Sequence, residues 1–234
     1  MVTVRAAAKR GYFENSWLQS YHSFSFGDYY DEMQMGYSLL RVMNEDVIAP
    51  ASGFPTHGHQ NMEIVTYLLS GSLEHKDSMG NGSTIYPGEV QRMSAGRGVT
   101  HSEYNPSTTD ETHLLQIWLL PNQRNIEPGY EQKRFEDEGR NHRWQLLASP
   151  TGEEGAVTIY SDTLLYAALL DPKRVLDYSF ASDRVGYLQL ASGELIVNGE
   201  ALSAGDGARL SAGERLQLQG GGERAELLLF DLPQ

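Results

Sequence analysis

The chain of 234 residues contains no cysteine. That absence excludes disulfides, thiolate metal sites and cysteine nucleophiles together, and leaves histidine and carboxylate as the metal ligands available. Basic charge is scarce as well: 18 Lys and Arg stand against 31 Asp and Glu, for a formal charge of −13. No basic run tracks a phosphate backbone, so direct nucleic-acid binding is not expected. No stretch approaches the roughly eighteen consecutive apolar residues of a membrane span, and the start has no apolar signal core. A cytoplasmic protein with no membrane partner is the expectation. Long helical periodicity is also missing.

What the sequence does have is a set of short apolar runs separated by turn formers. Asn198-Gly199 is a two-residue hairpin signal, and Gly205-Asp206-Gly207 and Gly220-Gly221-Gly222 supply further turns. The fold class read from this grammar is all-β, with two antiparallel β-barrel domains of the jelly-roll kind in one chain. The most charged stretch, residues 122–143, reads as a surface connection, which places the domains at 1–135 and 136–234. Its bland reading is a solvated segment, and a partner-docking surface is the alternative. Within the first domain, Phe24 and Phe26 alternate with serines as in a short strand. Asn44-Glu45-Asp46 looks like a turn dividing residues 38–48 into two strands.

Two stretches organise the chemistry, Pro55-Thr56-His57-Gly58-His59 and Thr100-His101-Ser102-Glu103. Side chains two apart on a strand share a face, so His57 pairs with His59 and His101 with Glu103. Three imidazoles and one carboxylate meeting in a small barrel hold a first-row divalent metal and leave positions open for substrate or O₂. Gly96 and Gly98 suit a tight bend just before His101. His22, His75 and His113 have no such spacing and read as packed or surface residues, with a pocket role as the alternative for His22. Phe24, Phe26 and Tyr67 are candidate pocket walls. After His142 there is no histidine, so a second copy of the barrel cannot hold the same metal.

Gly53 to Gly71, with His57-x-His59-x-x-x-Glu63, resembles the first motif of the cupin superfamily. Gly88 to Asn105, with His101 and Asn105, resembles the second. More closely the chain resembles the pirin family of bicupins, through His22-Ser23-Phe24-Ser25-Phe26, Met35-Gly36-Tyr37, Leu40-Arg41-Val42, His57-Gly58-His59, Glu74-His75-Lys76-Asp77-Ser78-Met79-Gly80-Asn81, Met93-Ser94-Ala95-Gly96 and His101-Ser102-Glu103-Tyr104-Asn105. The match is dense from residue 17 to about 135.

The resemblance implies one divalent metal, most readily Fe(II), with Mn, Co, Ni, Cu or Zn as alternatives. Its ligands would be His57, His59, His101 and Glu103. The general cupin pattern would instead use Glu63. One ligating carboxylate leaves a divalent site near +1, suited to an enolate or flavonolate, whereas two would cancel that attraction. Glu103 is therefore expected as ligand and as the base for the substrate proton, with Glu63 behind it orienting a histidine. The implied function is metal-dependent 2,3-dioxygenation of a flavonol such as quercetin, from a small enolic substrate and O₂. A redox-sensitive, metal-bearing regulator acting through a protein partner is the alternative.

Overall fold

The computed structural model describes residues 2–234. The elements are almost all strands, with one helical turn at Asp137–Arg140 and three short 3₁₀ turns. Among these residues no helix is long and apolar enough to cross a membrane.

The first half forms a seven-stranded and a four-stranded sheet. The larger runs in the order Gly129–Arg134, Glu89–Ser94, Glu63–Ser70, Thr112–Leu119, Leu40–Ile48, Leu18–His22, Gly11–Glu14. The smaller runs Gly53–His59, Val99–Tyr104, Leu73–Asp77, Gly82–Ile85. The second half repeats the scheme with a seven-stranded and a four-stranded sheet. Each half is thus a jelly-roll-like pair of sheets, and the hydrogen-bonded ladder does not run unbroken into a closed barrel. The ladder is interrupted where the chain changes sheet. One such corner follows His59, at Gln60, Asn61 and Met62, where Asn61 takes φ +50°; another is at Gly71, φ +78°.

Parity along the seven-stranded sheet explains why Glu63 to Leu69 is apolar on both faces. Val65 and Tyr67, with Met43, Leu115 and Ile117, pack against Leu147, Leu165, Tyr187, Leu228 and Phe230 of the second half. This seam is the largest apolar cluster in the molecule, and alternate residues face the first domain's interior. The first strand crosses the seam as well: Val2–Arg5 pairs with Gly207–Leu210.

Several local expectations are corrected. Residues 40–48 form one nine-residue strand, not two. Asn44 and Asp46 are buried at 2% and 3% exposure, polar because of what they face and not because the chain turns. Phe24 and Phe26 lie outside any strand; the aromatic-rich strand ends at His22, and Phe26 makes only an isolated bridge to Tyr29. The charged 122–143 stretch is solvated at Arg124, Glu127, Arg134, Glu136, Asp137, Glu138 and Arg143, but part of it is structural. Gly129–Arg134 is an edge strand on Glu89–Ser94, and Glu131 joins Arg92 at 3.0 Å and accepts from the Thr158 backbone N–H at 2.9 Å.

The bend before His101 is real: Gly96 has φ +46° and Gly98 φ +139°. A Cβ on Gly96 would lie 2.1 Å from the Ile126 carbonyl oxygen. Gly96→Ala is therefore expected to combine a left-handed backbone penalty with displacement of the 122–128 loop, costing roughly 1–3 kcal/mol or more. The urea midpoint of the metal-free protein measures it; an unchanged midpoint would show that this loop yields freely.

Candidate metal centre

The four-stranded sheet carries the centre. His57 and His101 are direct cross-strand partners, and His59 lies two residues along the same face. Glu103 follows beyond an irregularity in the ladder and pairs with His75 on its other side. The ring centroids of His57, His59 and His101 lie 4.5–4.9 Å from one another, and one ring nitrogen from each falls within a 4.8 Å group. A second group overlaps it, made of His75, His101 and Glu103. Glu103 therefore stands beside the trio, on the His101 side.

Hydrogen bonding prepares two of the imidazoles. His57 Nδ1 lies 2.8 Å from the Pro55 carbonyl, which can only accept, so Nδ1 carries the proton and Nε2 is a lone pair. For His101 the constraint arrives through a relay. Asp77 accepts from the Met79 and Asn81 backbone N–H groups at 2.9 and 3.0 Å and from Asn81 Nδ2 at 2.8 Å. Burial works against its ionisation, but those donors and His75 hold its carboxyl below the usual range. Its carboxylate faces His75 Nε2 at 3.2 Å, and His75 Nδ1 faces His101 Nδ1 at 3.5 Å. A proton on His75 Nε2 leaves its Nδ1 as acceptor, so His101 Nδ1 donates. His101 Nε2 is then a lone pair, and it is buried with no partner. An orphaned buried nitrogen is costly unless something binds it. Burial, with the neighbouring imidazoles adding repulsion, pushes His59 down to about 4 and His101 to about 3, so both stay neutral, as ligands must. The donor set fits a divalent transition metal.

Glu103 is fixed from the opposite sheet. Gln116 Nε2 donates to its Oε2 at 3.0 Å, and Gln116 Oε1 accepts from Thr66 Oγ1 at 3.1 Å. Burial, partly offset by Gln116 and increased by Asp46, pushes Glu103 up to about 7. Asp46 is likewise raised to about 7, chiefly by burial. Gln116 and Thr66 belong to a polar row running straight across the seven-stranded sheet, His22–Asn44–Gln116–Thr66–Gln91, in which each residue is the register partner of the next. The sequence reading missed this row. Its only sequence signal is a polar residue interrupting each apolar strand at an inward position. The equivalent interior of the second half is filled by Leu170, Leu188, Leu190, Leu216, Leu227 and Leu229.

A cavity of about 680 Å³ opens over the centre. The three histidines and Glu103 are in its wall, with Phe26, Trp118, Phe54 and Ile64 as apolar surface. Of the candidate aromatic walls only Phe26 is there. Phe24 packs against Tyr187 across the domain seam with ring centroids 5.4 Å apart, and Tyr67 hydrogen-bonds Arg140 and Glu226.

Glu63 does not orient a histidine. The corner at Asn61 breaks the parity that would have carried it onto the His57 face, and it sits on the outward side of its strand with Val65 and Tyr67. Its carboxylate accepts from Ser94 Oγ at 2.7 Å and from the Tyr160 backbone N–H at 3.1 Å, tying the first domain to the second. His113 is half-exposed and bound to Glu45 at 2.9 Å. Asn105 pins the following loop, its Nδ2 facing the carbonyls of Ile48, Ala49 and Asp110 at 2.8–3.2 Å.

Comparison with known proteins agrees with this geometry. Residues 3–119 match the model of the family described as Pirin, and residues 146–232 match the Quercetinase C-terminal cupin domain. The chain is 43% identical to a quercetin 2,3-dioxygenase of Escherichia coli K12, over 100% of this chain and 99% of that one. It is 38% identical to a pirin-like protein of Caulobacter vibrioides, over 99% of each. Among solved structures, YhhW from Escherichia coli superposes with a TM-score of 0.95 at 42% identity, covering 100% and 98% of the two chains. The nickel(II) complex of that bacterial pirin gives 0.94 at 42% identity, covering 100% and 99%. Two cupin domains, a histidine cluster facing a cavity in the first alone, and full-length similarity to these proteins place the chain in the pirin family.

Proposed function

We propose that the chain is a metal-dependent dioxygenase that cleaves a flavonol such as quercetin at the 2,3-bond with release of carbon monoxide. The observation that carries the reading is the buried, unpartnered His101 Nε2 beside His57, His59 and Glu103 at the floor of an aromatic cavity. The names of the relatives agree with it. In this reading His57, His59, His101 and Glu103 hold one divalent metal, Fe(II) by preference, with Mn, Co, Ni, Cu or Zn as alternatives. Residues 1–135 form the working domain and 136–234 its partner, with Val2–Arg5 paired to the sheet of the second.

Bound there, the metal supplies Lewis acidity toward the 3-oxygen of the flavonol and a path for electrons to O₂. The residues do the rest. Glu103 would receive the 3-hydroxyl proton on a carboxylate oxygen. Gln116 and Thr66 keep it aimed. Phe26, Trp118 and Ile64 offer apolar faces to the fused rings and exclude water. Incubating metal-loaded protein with quercetin in air and following the flavonol absorbance tests the proposal; no turnover with any of Fe, Mn, Co, Ni or Cu sinks it. The charged stretch that suggested the partner-dependent alternative contributes Gly129–Arg134 to the sheet and leaves most of its charged side chains exposed.

The raised carboxyl has a consequence for metal affinity. Glu103 must lose its proton to bind a cation. Below about pH 7 that proton competes, so apparent affinity should fall as the pH drops below 7 and level off above it. His59 and His101, held at about 4 and 3, do not compete in that window. Nickel titration by calorimetry at several pH values measures the slope. Glu103→Gln should flatten it while weakening binding; an equal slope in the variant would assign the proton elsewhere.

A further inference from the structure

The cavity wall beyond Gln116 carries two side chains that each keep one unpartnered polar atom. His22 and Asn44 are cross-strand partners, and Ser20 and Asp46 form the next inward pair beside them. All four line the cavity. His22 is 5% exposed and Asn44 2%, and neither His22 Nδ1 nor Asn44 Oδ1 has a partner. The proton pattern fixes what they offer. With Asp46 as carboxylate, its form above about pH 7, Ser20 Oγ gives its one proton to Asp46 Oδ1 and accepts from His22 Nε2, 2.8 Å away. His22 Nδ1 is then a bare lone pair, as Asn44 Oδ1 is. Directly opposed side chains on antiparallel strands start from Cβ atoms about 5 Å apart, so the two acceptors belong to neighbouring side chains.

We infer that this pair is a recognition site for hydroxyl groups on the far ring of an aromatic substrate, the vicinal hydroxyls of a catechol ring fitting it best. An aromatic ribbon joins it to the metal centre. His59 contacts Trp118 at 4.9 Å, Trp118 contacts Phe26 at 5.3 Å and Phe26 contacts His22 at 5.2 Å, each ring edge to face. A flat polycyclic molecule with its enol at the histidines and its other end toward His22 would lie along that ribbon. Paired acceptors backed by Asp46 select for O–H donors and reject a carboxylate or sulfate there, which would face lone pairs only. His22 and Asn44 would then position the substrate and set specificity without touching the reacting atoms.

The inference rests on the flavonol reading for its substrate class, and the test separates the two. Full-length, metal-loaded protein is assayed with quercetin and with 3,5,7-trihydroxyflavone, which lacks the catechol hydroxyls. In the wild type, kcat/KM should favour quercetin by about tenfold or more, as expected for a buried hydroxyl paired with a site built for it. Asn44→Ala should bring the ratio toward one, through KM more than kcat. His22→Phe, which keeps the aromatic contact with Phe26, should do the same and covers the case in which Asn44→Ala does not fold. The dissociation constants of both compounds are measured in parallel by fluorescence quenching without oxygen. If the wild type oxidises neither compound, the dioxygenase reading fails while the ratio of dissociation constants still decides this one. A wild-type ratio near one, or the same preference in both variants, overturns the inference.

Discussion

His101→Ala is expected to empty the metal centre. A ligand supplies a bond to the ion, so its loss should cost more than the roughly 10–100-fold in affinity that follows removal of an outer partner of a ligand. Flavonol turnover should fall to the level of the metal-free protein. A thermal readout makes this independent of activity. With free nickel at about 100 times its dissociation constant, binding stabilises the native state by about 2.7 kcal/mol. For a chain of this size that raises the melting temperature by roughly 5–10 °C, and chelation removes it. His101→Ala should show no such rise, and its metal-free form should still fold, because the ring makes only one long hydrogen bond, 3.5 Å to His75. Three companions sharpen the assignment. His75→Ala should weaken nickel binding by the smaller, outer-partner factor. Glu103→Gln should weaken it further. Glu63→Gln should leave it intact, since that carboxylate engages Ser94 and Tyr160 instead. Stoichiometric nickel in His101→Ala, with the same rise in melting temperature, would remove this residue from the ligand set.

Arg140→Ala should destabilise the whole chain by roughly 3–5 kcal/mol, which corresponds to a fall in melting temperature of roughly 10 °C. The guanidinium is 7% exposed at the domain seam. It donates to Tyr67 Oη, to Glu226 Oε1 at 2.9 Å and to Asp137 Oδ1 at 2.7 Å, with its carbon 6.0 Å from the Tyr67 ring centroid. Tyr67 is completely buried, and burial together with Glu226 drives its hydroxyl well above the ordinary range, so it remains a neutral donor. Deleting Arg140 leaves the Glu226 carboxylate at the seam without its cation, and most of the cost lies there. The triple replacement Arg140→Met, Glu226→Leu and Tyr67→Phe removes the three seam members together, leaving only the exposed Asp137, and should recover most of the stability, as a buried ionic cluster exchanged for apolar side chains usually does. Thermal and urea denaturation check both variants. A loss under about 1 kcal/mol for Arg140→Ala would return the segment to the solvated connection its composition suggests.

Side-chain parity on a strand is local, and it carried the reading far. It put His57 with His59 and His101 with Glu103, and a histidine-free second half limited that pattern to one domain. The all-β class followed from apolar runs separated by turn residues for the same reason. Parity failed at corners. Glu63 has the right spacing from His59, but the chain turns at Asn61 between sheets, and the carboxylate emerges on the opposite side of the wall. Composition failed where burial reverses its meaning. Asn44-Glu45-Asp46 has the makeup of a turn, yet Asn44 belongs to a polar row that exists only when five strands lie in register, and Asp46 is buried beside it, paired with Ser20. Arg140 sits in the most charged stretch of the chain and is nearly inaccessible, because Glu226 and Tyr67 reach it from 86 and 73 residues away.

By itself, then, the sequence determined the strand grammar, the absence of thiolate chemistry and the two i, i+2 pairs of candidate ligands, all of which depend on neighbours along the chain. The tertiary structure decided that Glu63 joins the domains, that His75 and Asp77 set the tautomer of His101, and that His22 and Asn44 share a wall. Those assignments depend on which strands become neighbours in a sheet, and the register that brings distant residues together is set by packing of the entire core.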